Sequence, residues 1–407
     1  MRIEELKKEK VALLGLGDNH KFLAEYLEKA GVNFDVITWD TLSDLNDKLT
    51  DYSLIFRTPG VPYLTEPIQN AQKKGASISS QTKLFFDLCP GRIIGVTGTK
   101  GKGTTSTLIY EIIIKFGIKA FLAGNIGSDP FEFLDDVKRE DVVVLELSSF
   151  QLQDLEKSPN VAVVLNITQD HLDHHKDVNE YIHAKTSIIK YQKESDHAVL
   201  FNSLPKWFKE LGKGQKIFFE RKDGAAFETK LLGPHNQENI AAAYKVSQLF
   251  GVDEKTAKEA IKEFRSLPHR LQVVGIKDGI TYVNDSFSTN VETTIAAINS
   301  FSAPIILILG GFDKGLDYTP LGKAIVENSH IKAVVVVGKV ADKILNSIKD
   351  FKGKISTNAK SMKEIIDSAR GVASEGDIIL LSPAAASFDM FKNYKDRGDQ
   401  FSEGVLT

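Results

Sequence analysis

Short apolar runs alternate with helical patterns from the start of the chain. VALLGLG, VNFDVITWD and SLIFRTPGVP read as strands, and KFLAEYLEKAG carries its apolar residues at helical spacing, so the wiring is βαβ. Cys89-Pro90-Gly91 interrupts the pattern and predicts a boundary. RIIGVTG then opens a second series, with a helix from about Thr104 through EIIIKFG, strands at DVVVLELSS and NVAVVLNIT, and a helix around NQENIAAAYKVSQLFG. Leu267-Pro268 marks a second break, because proline disfavours helix in its predecessor. Beyond it ITYVND, PIILILGG, KAVVVVGK and GDIILLSP alternate with helical patterns such as SMKEIIDSARGV, implying another mostly parallel sheet. The predicted fold is α/β in three domains, at 1–90, 91–267 and 268–407.

A length of 407 residues lets each of three domains bury its own core. The net charge of −3, from 51 basic and 54 acidic residues, provides no field that would attract nucleic acid or a membrane surface, so the expected partners are small charged molecules. Cys89 is the single cysteine and can form neither an intramolecular disulfide nor a thiolate metal cluster, which fits a reducing interior. MRIEELKKEK lacks the apolar core of a signal peptide, and no apolar run reaches the ~20 residues of a membrane span; a cytoplasmic protein is expected.

The chemistry concentrates in GVTGTKGKGTTS, Gly95 to Ser106. Gly98, Gly101 and Gly103 allow the backbone to approach an anion, the following helix aims N–H groups at it, and Lys102 supplies counter-charge: a phosphate cradle. Gly103 stands where the usual loop has a metal-binding Ser or Thr, leaving Thr104 and Thr105 as the nearest hydroxyls. Glu146 ends an apolar strand and reads as a Mg²⁺ ligand beside the cradle, or else as a solvated strand end. NITQDHLDHH sets Asp170, His171, Asp173, His174 and His175 after another strand, where a metal or substrate role, a zinc site and plain solvation all stay open. Lys185 reads as a surface lysine. Gly15 and Gly17 form a GxG turn, but His20 replaces the third glycine of a dinucleotide fingerprint.

Together GVTGTKGK, AGNIG (Ala123 to Gly127), LELSSFQL (Leu145 to Leu152), NITQDHLDHH, Ala184-Lys185, GPHNQENIAAA (Gly233 to Ala243), LPHR (Leu267 to Arg270), NDS (Asn284 to Ser286), GGFDKG (Gly310 to Gly315) and SPAAASFDMFKNYKDRGDQF (Ser382 to Phe401) resemble the Mur ligase family over nearly the whole chain. The last run resembles the glutamate-adding member. The resemblance implies an N-terminal Rossmann-like domain for a UDP moiety, a central P-loop ATPase-type domain and a C-terminal Rossmann-like domain for the amino acid. It implies a monomeric ATP-dependent ligase acting on UDP-N-acetylmuramoyl-L-alanine and D-glutamate with two Mg²⁺ ions. Gly98, Thr99, Lys100, Gly101, Lys102, Gly103, Thr104, Asn236, Asn239, Arg270 and Asp285 would bind ATP. Glu146, His171, Thr104 and a carbamylated Lys185 would hold the metals, with Lys102, Glu146, His171 and Lys185 as the catalytic set. Gly15, Leu16, Gly17, Asn125 and His171 would contact the UDP substrate; Thr289, Lys314, Ser387, Phe388 and Tyr394 would line the glutamate pocket. Phe287, in NDSFSTN, departs from a lysine in the family pattern, and GLGDNHK departs from GLGKSG. A folylpolyglutamate synthase would begin near the cradle, whereas about 90 residues precede it here. A relative adding L-glutamate, a silent precursor-binding protein and a P-loop motor stay open.

Overall fold

The structure, a computed structural model, describes residues 1–168 and 176–406. They form two compact units, Met1–Glu228 with Gln237–Lys262, and Thr229–Asn236 with Glu263–Thr407.

The first unit holds two sheets. Strands β1 (Val11–Leu14), β2 (Phe34–Ile37), β3 (Leu54–Phe56) and β4 (Ser77–Ser79) pair in parallel in the order β2-β1-β3-β4. Strands β5 (Arg92–Thr97), β6 (Ala120–Gly124), β7 (Val142–Glu146), β8 (Val161–Val164), β9 (His197–Phe201) and β10 (Gln215–Phe219) form a second parallel sheet, ordered β10-β9-β8-β5-β7-β6. Strands β5, β7 and β8 are apolar runs buried along nearly all their length, as a sheet covered on both faces demands. The chain runs from β5 through β6 to β7 on one side and then crosses to β8 on the other. The carboxyl end of β5 is therefore a switch point, where an open α/β sheet leaves a crevice.

One hydrophobic core joins the two sheets: Leu13, Leu23 and Leu27 belong to the same cluster as Phe85, Phe131, Phe133 and Leu145. Phe131 takes the rings of Tyr26 at 5.1 Å and Phe85 at 6.1 Å edge-on. A buried ion pair adds to this seam, Arg57 Nη2 donating to Asp154 Oδ1 at 3.0 Å with both side chains 1% exposed.

The second unit contains β11 (Gln272–Lys277), β12 (Ile280–Asn284), β13 (Ile305–Gly310), β14 (Ile331–Val337), β15 (Lys354–Ser356) and β16 (Ile378–Leu381), in the order β11-β12-β16-β13-β14-β15. All pairs are parallel except the β11–β12 hairpin, whose Asp278-Gly279 turn has φ of 55° and 71°, the primed geometry that Asp-Gly favours. That hairpin goes beyond the parallel pattern read from sequence.

Helices follow the sequence pattern with shifted ends. The helix after the cradle is Lys102–Lys115, starting two residues before Thr104, and His235–Leu249 covers the predicted NQENIAAAYKVSQLFG helix except its last two residues. Strand β5 starts directly after Cys89-Pro90-Gly91. The second break, Leu267-Pro268, falls between the helix Glu254–Glu263 and β11.

Candidate active site

The loop from Gly98 to Gly101 links β5 to the N-terminus of Lys102–Lys115. Gly101 caps that helix with φ 84°, and a Cβ there would lie 2.2 Å from Asn239 Oδ1, so the sequence needs glycine at this point. Asn239 Oδ1 accepts from Thr105 Oγ1 at 3.1 Å, tying helix His235–Leu249 to the cradle. Thr99 N donates to Asn166 O at 2.9 Å, and Thr99 Oγ1 donates to Thr168 O at 3.0 Å, which fastens the loop to the chain leaving β8. Lys102 Nζ reaches Gly98 O at 3.1 Å and Thr99 O at 2.9 Å, folding the lysine over its own loop. Lys100 is exposed, while Gly103 and Thr104 are buried in the first helical turn.

Glu146 ends β7 in register with Val96 of β5 and Gly124 of β6. It is 6% exposed, which overturns the solvated strand end, and its Oε2 has no hydrogen-bond partner among the described residues. A buried carboxylate oxygen without a donor is costly unless a cation or proton meets it, so the site fits a divalent cation. The next turn is ordered by Gln151 Oε1, which accepts from Ser148 N at 2.9 Å, Ser148 Oγ at 3.0 Å and Asn125 Nδ2 at 3.2 Å. Asn125 thereby stands beside Glu146, whose carbonyl also accepts from Asn125 N at 3.2 Å.

Lys185 is not a surface lysine. It is 1% exposed, its Nζ donates to Gly98 O at 3.2 Å and lies 3.4 Å from Thr97 Oγ1, and it sits 4.6 Å over the ring of Tyr181. Helix Val178–Ala184 delivers it there, and Tyr181 OH meets Thr99 Oγ1 at 3.1 Å. Thr97 carries no sequence signal of this role, and for Tyr181 the one local cue is its place a helical turn before Lys185. His171, with Asp170, Asp173, His174 and His175, lies outside the described residues.

Beside β1, Gly15 (φ 72°), Leu16 and Gly17 lead into helix Asp18–Lys29. Leu16 is 54% exposed, and the Trp39 ring stands 3.5 Å from the place a Gly15 Cβ would take. His20 is buried inside this turn, its Nδ1 3.0 Å from Gly15 O, and burial lowers its pKa. The imidazole braces the loop where a third glycine would have stood.

In the second unit, the loops after β12, β16 and β13 meet at adjacent carboxyl ends. Asp285 is 5% exposed; its Oδ1 accepts from Leu271 N at 3.1 Å and its Oδ2 from Ser382 Oγ at 2.7 Å. Burial outweighs these donors and pushes its pKa up to about 6. Arg397, buried and lowered by desolvation to about 10, donates to Ser286 O at 3.0 Å and Ala385 O at 3.1 Å. It thus binds the β12 loop to the β16 loop that carries buried Ser387 and exposed Phe388. Ser286 Oγ donates to Tyr394 O at 2.8 Å, Thr289 is half-buried beyond it, and Lys314 is exposed on the loop after β13. Arg270 stacks on Phe287 at 3.7 Å, and Asn236 Nδ2 donates to Leu232 O at 2.7 Å.

Residues 96–226 match the Mur ligase middle domain, and residues 269–385 match the Mur ligase, glutamate ligase domain. UDP-N-acetylmuramoylalanine–D-glutamate ligase of Acetivibrio thermocellus is 36% identical over 99% of this chain and 97% of its own length. Among solved structures, UDP-N-acetylmuramate-alanine ligase MurC of Thermotoga maritima is similar with a TM-score of 0.63 at 19% identity, covering 98% of this chain and 99% of its own. MurF ligase of Thermotoga maritima, in complex with ADP, gives 0.61 at 20% identity, with 100% of this chain and 97% of its own covered. In its sheets, its cradle and its full-length relatives, the chain belongs to the Mur ligase family.

Proposed function

We propose that the protein uses ATP to join D-glutamate to UDP-N-acetylmuramoyl-L-alanine, a step in making peptidoglycan precursor. The observation that carries this reading is a phosphate cradle flanked by the buried carboxylate of Glu146, whose Oε2 has no hydrogen-bond partner among the described residues, in a chain 36% identical over its length to a D-glutamate ligase. The protein acts as a cytoplasmic monomer, and its three domains divide along the chain near residues 90 and 267.

A carboxylate is a poor electrophile with a poor leaving group, so it must be activated. The alanine carboxylate oxygen attacks the γ-phosphorus of ATP; the new O–P bond forms as the bond to the β-phosphate oxygen breaks, giving an acyl phosphate and ADP. The glutamate amine then attacks the acyl carbon, loses a proton, and expels phosphate through a tetrahedral intermediate. Lys102 and the helix N-terminus behind it offset the repulsion between the two anions of the first step. Gly98 to Thr104, Asn236, Asn239, Arg270 and Asp285 bind the nucleotide. Glu146, Thr104, His171 and Lys185, the last as its carbamate, would hold Mg²⁺, which would withdraw charge from the phosphates. Asn125 and the Gly15–Gly17 turn receive the UDP substrate; Thr289, Lys314, Ser387, Phe388 and Tyr394 receive glutamate, with Lys314 as a point charge for its second carboxylate.

The test is phosphate release from ATP with UDP-N-acetylmuramoyl-L-alanine and, in turn, D-glutamate, L-glutamate and a diamino acid, with product mass as the check. Release that depends on D-glutamate with the matching mass supports the reading. Release with another amino acid alone moves the specificity, and no release despite ATP binding points to a silent precursor-binding protein.

A further inference from the structure

Strands β16, β13 and β14 are neighbours in that order, so the loops that leave their carboxyl ends lie side by side. Backbone bonds fasten the first two loops together: Gly310 N donates to Pro383 O at 2.8 Å, and Phe312 N to Ala386 O at 2.8 Å. The loop after β14 is fastened differently. Its Gly338, at φ 76°, has no room for a Cβ, which would lie 2.7 Å from Gly311 Cα and would strike Asp389 Oδ2. The next residue, Lys339, donates its N–H to Asp389 Oδ2 at 2.9 Å. Among the described residues this is the one hydrogen bond between the loops after β14 and β16.

Asp389 sits in a turn closed by Ser387 O, which accepts from Met390 N at 3.1 Å and Phe391 N at 2.9 Å. Ser387 and Phe388 therefore stand between two anchors, Ala386 on Phe312 N and Asp389 on Lys339 N. Phe388 is 62% exposed, with the Phe312 ring edge-on at 6.2 Å and 72°, so an open side chain rises from fixed backbone. Fixing a binding loop beforehand spares a ligand the cost of ordering it. A carboxylate accepting from an amide N–H is a strong bond for that purpose, because the acceptor is charged. Asp389 Oδ1 is buried without a hydrogen-bond partner among the described residues, so Oδ2 does the fastening.

We propose that Asp389 is a positioning residue for the amino-acid substrate: its bond to the Lys339 amide holds the turn from which Ser387 and Phe388 receive glutamate. The inference rests on the ligase reading for the identity of that substrate.

The experiment compares full-length wild type with Asp389→Ala, which removes the acceptor, and Asp389→Asn, which keeps an acceptor oxygen and removes the charge. The second variant separates bond from charge, since Asp389 is also a negative charge whose field reaches the buried guanidinium of Arg397. KM is taken for D-glutamate and for ATP together with kcat, and a non-hydrolysable ATP analogue is titrated by calorimetry. Asp389→Ala is expected to raise KM for D-glutamate about tenfold, with kcat, KM for ATP and analogue affinity within about twofold. Asp389→Asn should return KM for D-glutamate to within about threefold of wild type. Should Asp389→Ala not fold, Asp389→Glu, which sets the oxygen one methylene farther out, takes its place with the same expected rise. Unchanged KM for D-glutamate would overturn the inference alone, as would a rise in Asp389→Asn equal to that in Asp389→Ala, or a rise for ATP equal to that for D-glutamate. Wild type without phosphate release dependent on D-glutamate would overturn the ligase reading and the inference together.

Discussion

Replacing Gly101 by alanine tests whether the cradle is built as described. Two costs follow from the geometry. The residue has φ 84°, where an L side chain costs about 1–2 kcal/mol. The new Cβ would also fall 2.2 Å from Asn239 Oδ1 and 3.2 Å from Leu165 Cδ1. Asn239 must turn away and give up the bond from Thr105 Oγ1, which sits on a fully buried side chain, for a further 1–3 kcal/mol or so. The sum is about 2–5 kcal/mol. Gly117 supplies the control: its φ is 94° and a Cβ there meets nothing within 4 Å, so Gly117→Ala carries the backbone cost alone. Urea unfolding of the two variants should separate them by about 1–3 kcal/mol, and calorimetry should show ATP bound at least tenfold more weakly by Gly101→Ala only. Equal destabilisation of the two, or unchanged ATP affinity in Gly101→Ala, would refute the packing of Asn239 against the loop.

The buried pair Arg57–Asp154 invites a double-mutant cycle in urea: Asp154→Ala alone should cost about 3–5 kcal/mol by stranding a buried guanidinium, whereas Arg57→Met with Asp154→Leu should recover most of that loss. Lys185→Ala should be nearly inactive, and turnover should return in part with added acetate or formate if a carbamate is the working form; full activity without rescue would leave Lys185 a packing residue. Asp285, at about 6 against an ordinary 3.8, binds a proton in the folded state that the unfolded state releases, so its ionisation erodes stability as pH rises from about 4 to about 6. Asp285→Asn should therefore gain on wild type by up to about 3 kcal/mol between pH 4 and pH 7 in parallel unfolding series, and a constant difference would show that the carboxyl is not raised.

Local signals were legible and pairings at a distance were not. The alternation of apolar runs located the three sheets, and the order of strand, glycine loop, lysine and helix located the turn between β5 and helix Lys102–Lys115, because each is written in consecutive residues. Lys185 illustrates the other case. Its helix reads as a surface segment, and what makes the residue special is contact with Gly98, 87 positions away. Glu146 is intermediate: its place at a strand end was readable, but its burial depends on β5 and β6 flanking β7. The Asp278-Gly279 hairpin is written locally, but the apolar runs around it match the parallel strands and do not mark an antiparallel pair.

Phe287 reads differently in the chain and in the fold. In the sequence it is a missing cation in NDSFSTN, and on charge alone it counts against a working ligase. In the fold the same side chain lies under Arg270, whose turn, His269–Leu271, is bonded to Asn284, Asp285 and the Phe287 N–H. A lysine in this place would have met the Arg270 guanidinium as a second cation, so the departure from the family pattern leaves a cation–ring contact at 3.7 Å where two like charges would have stood.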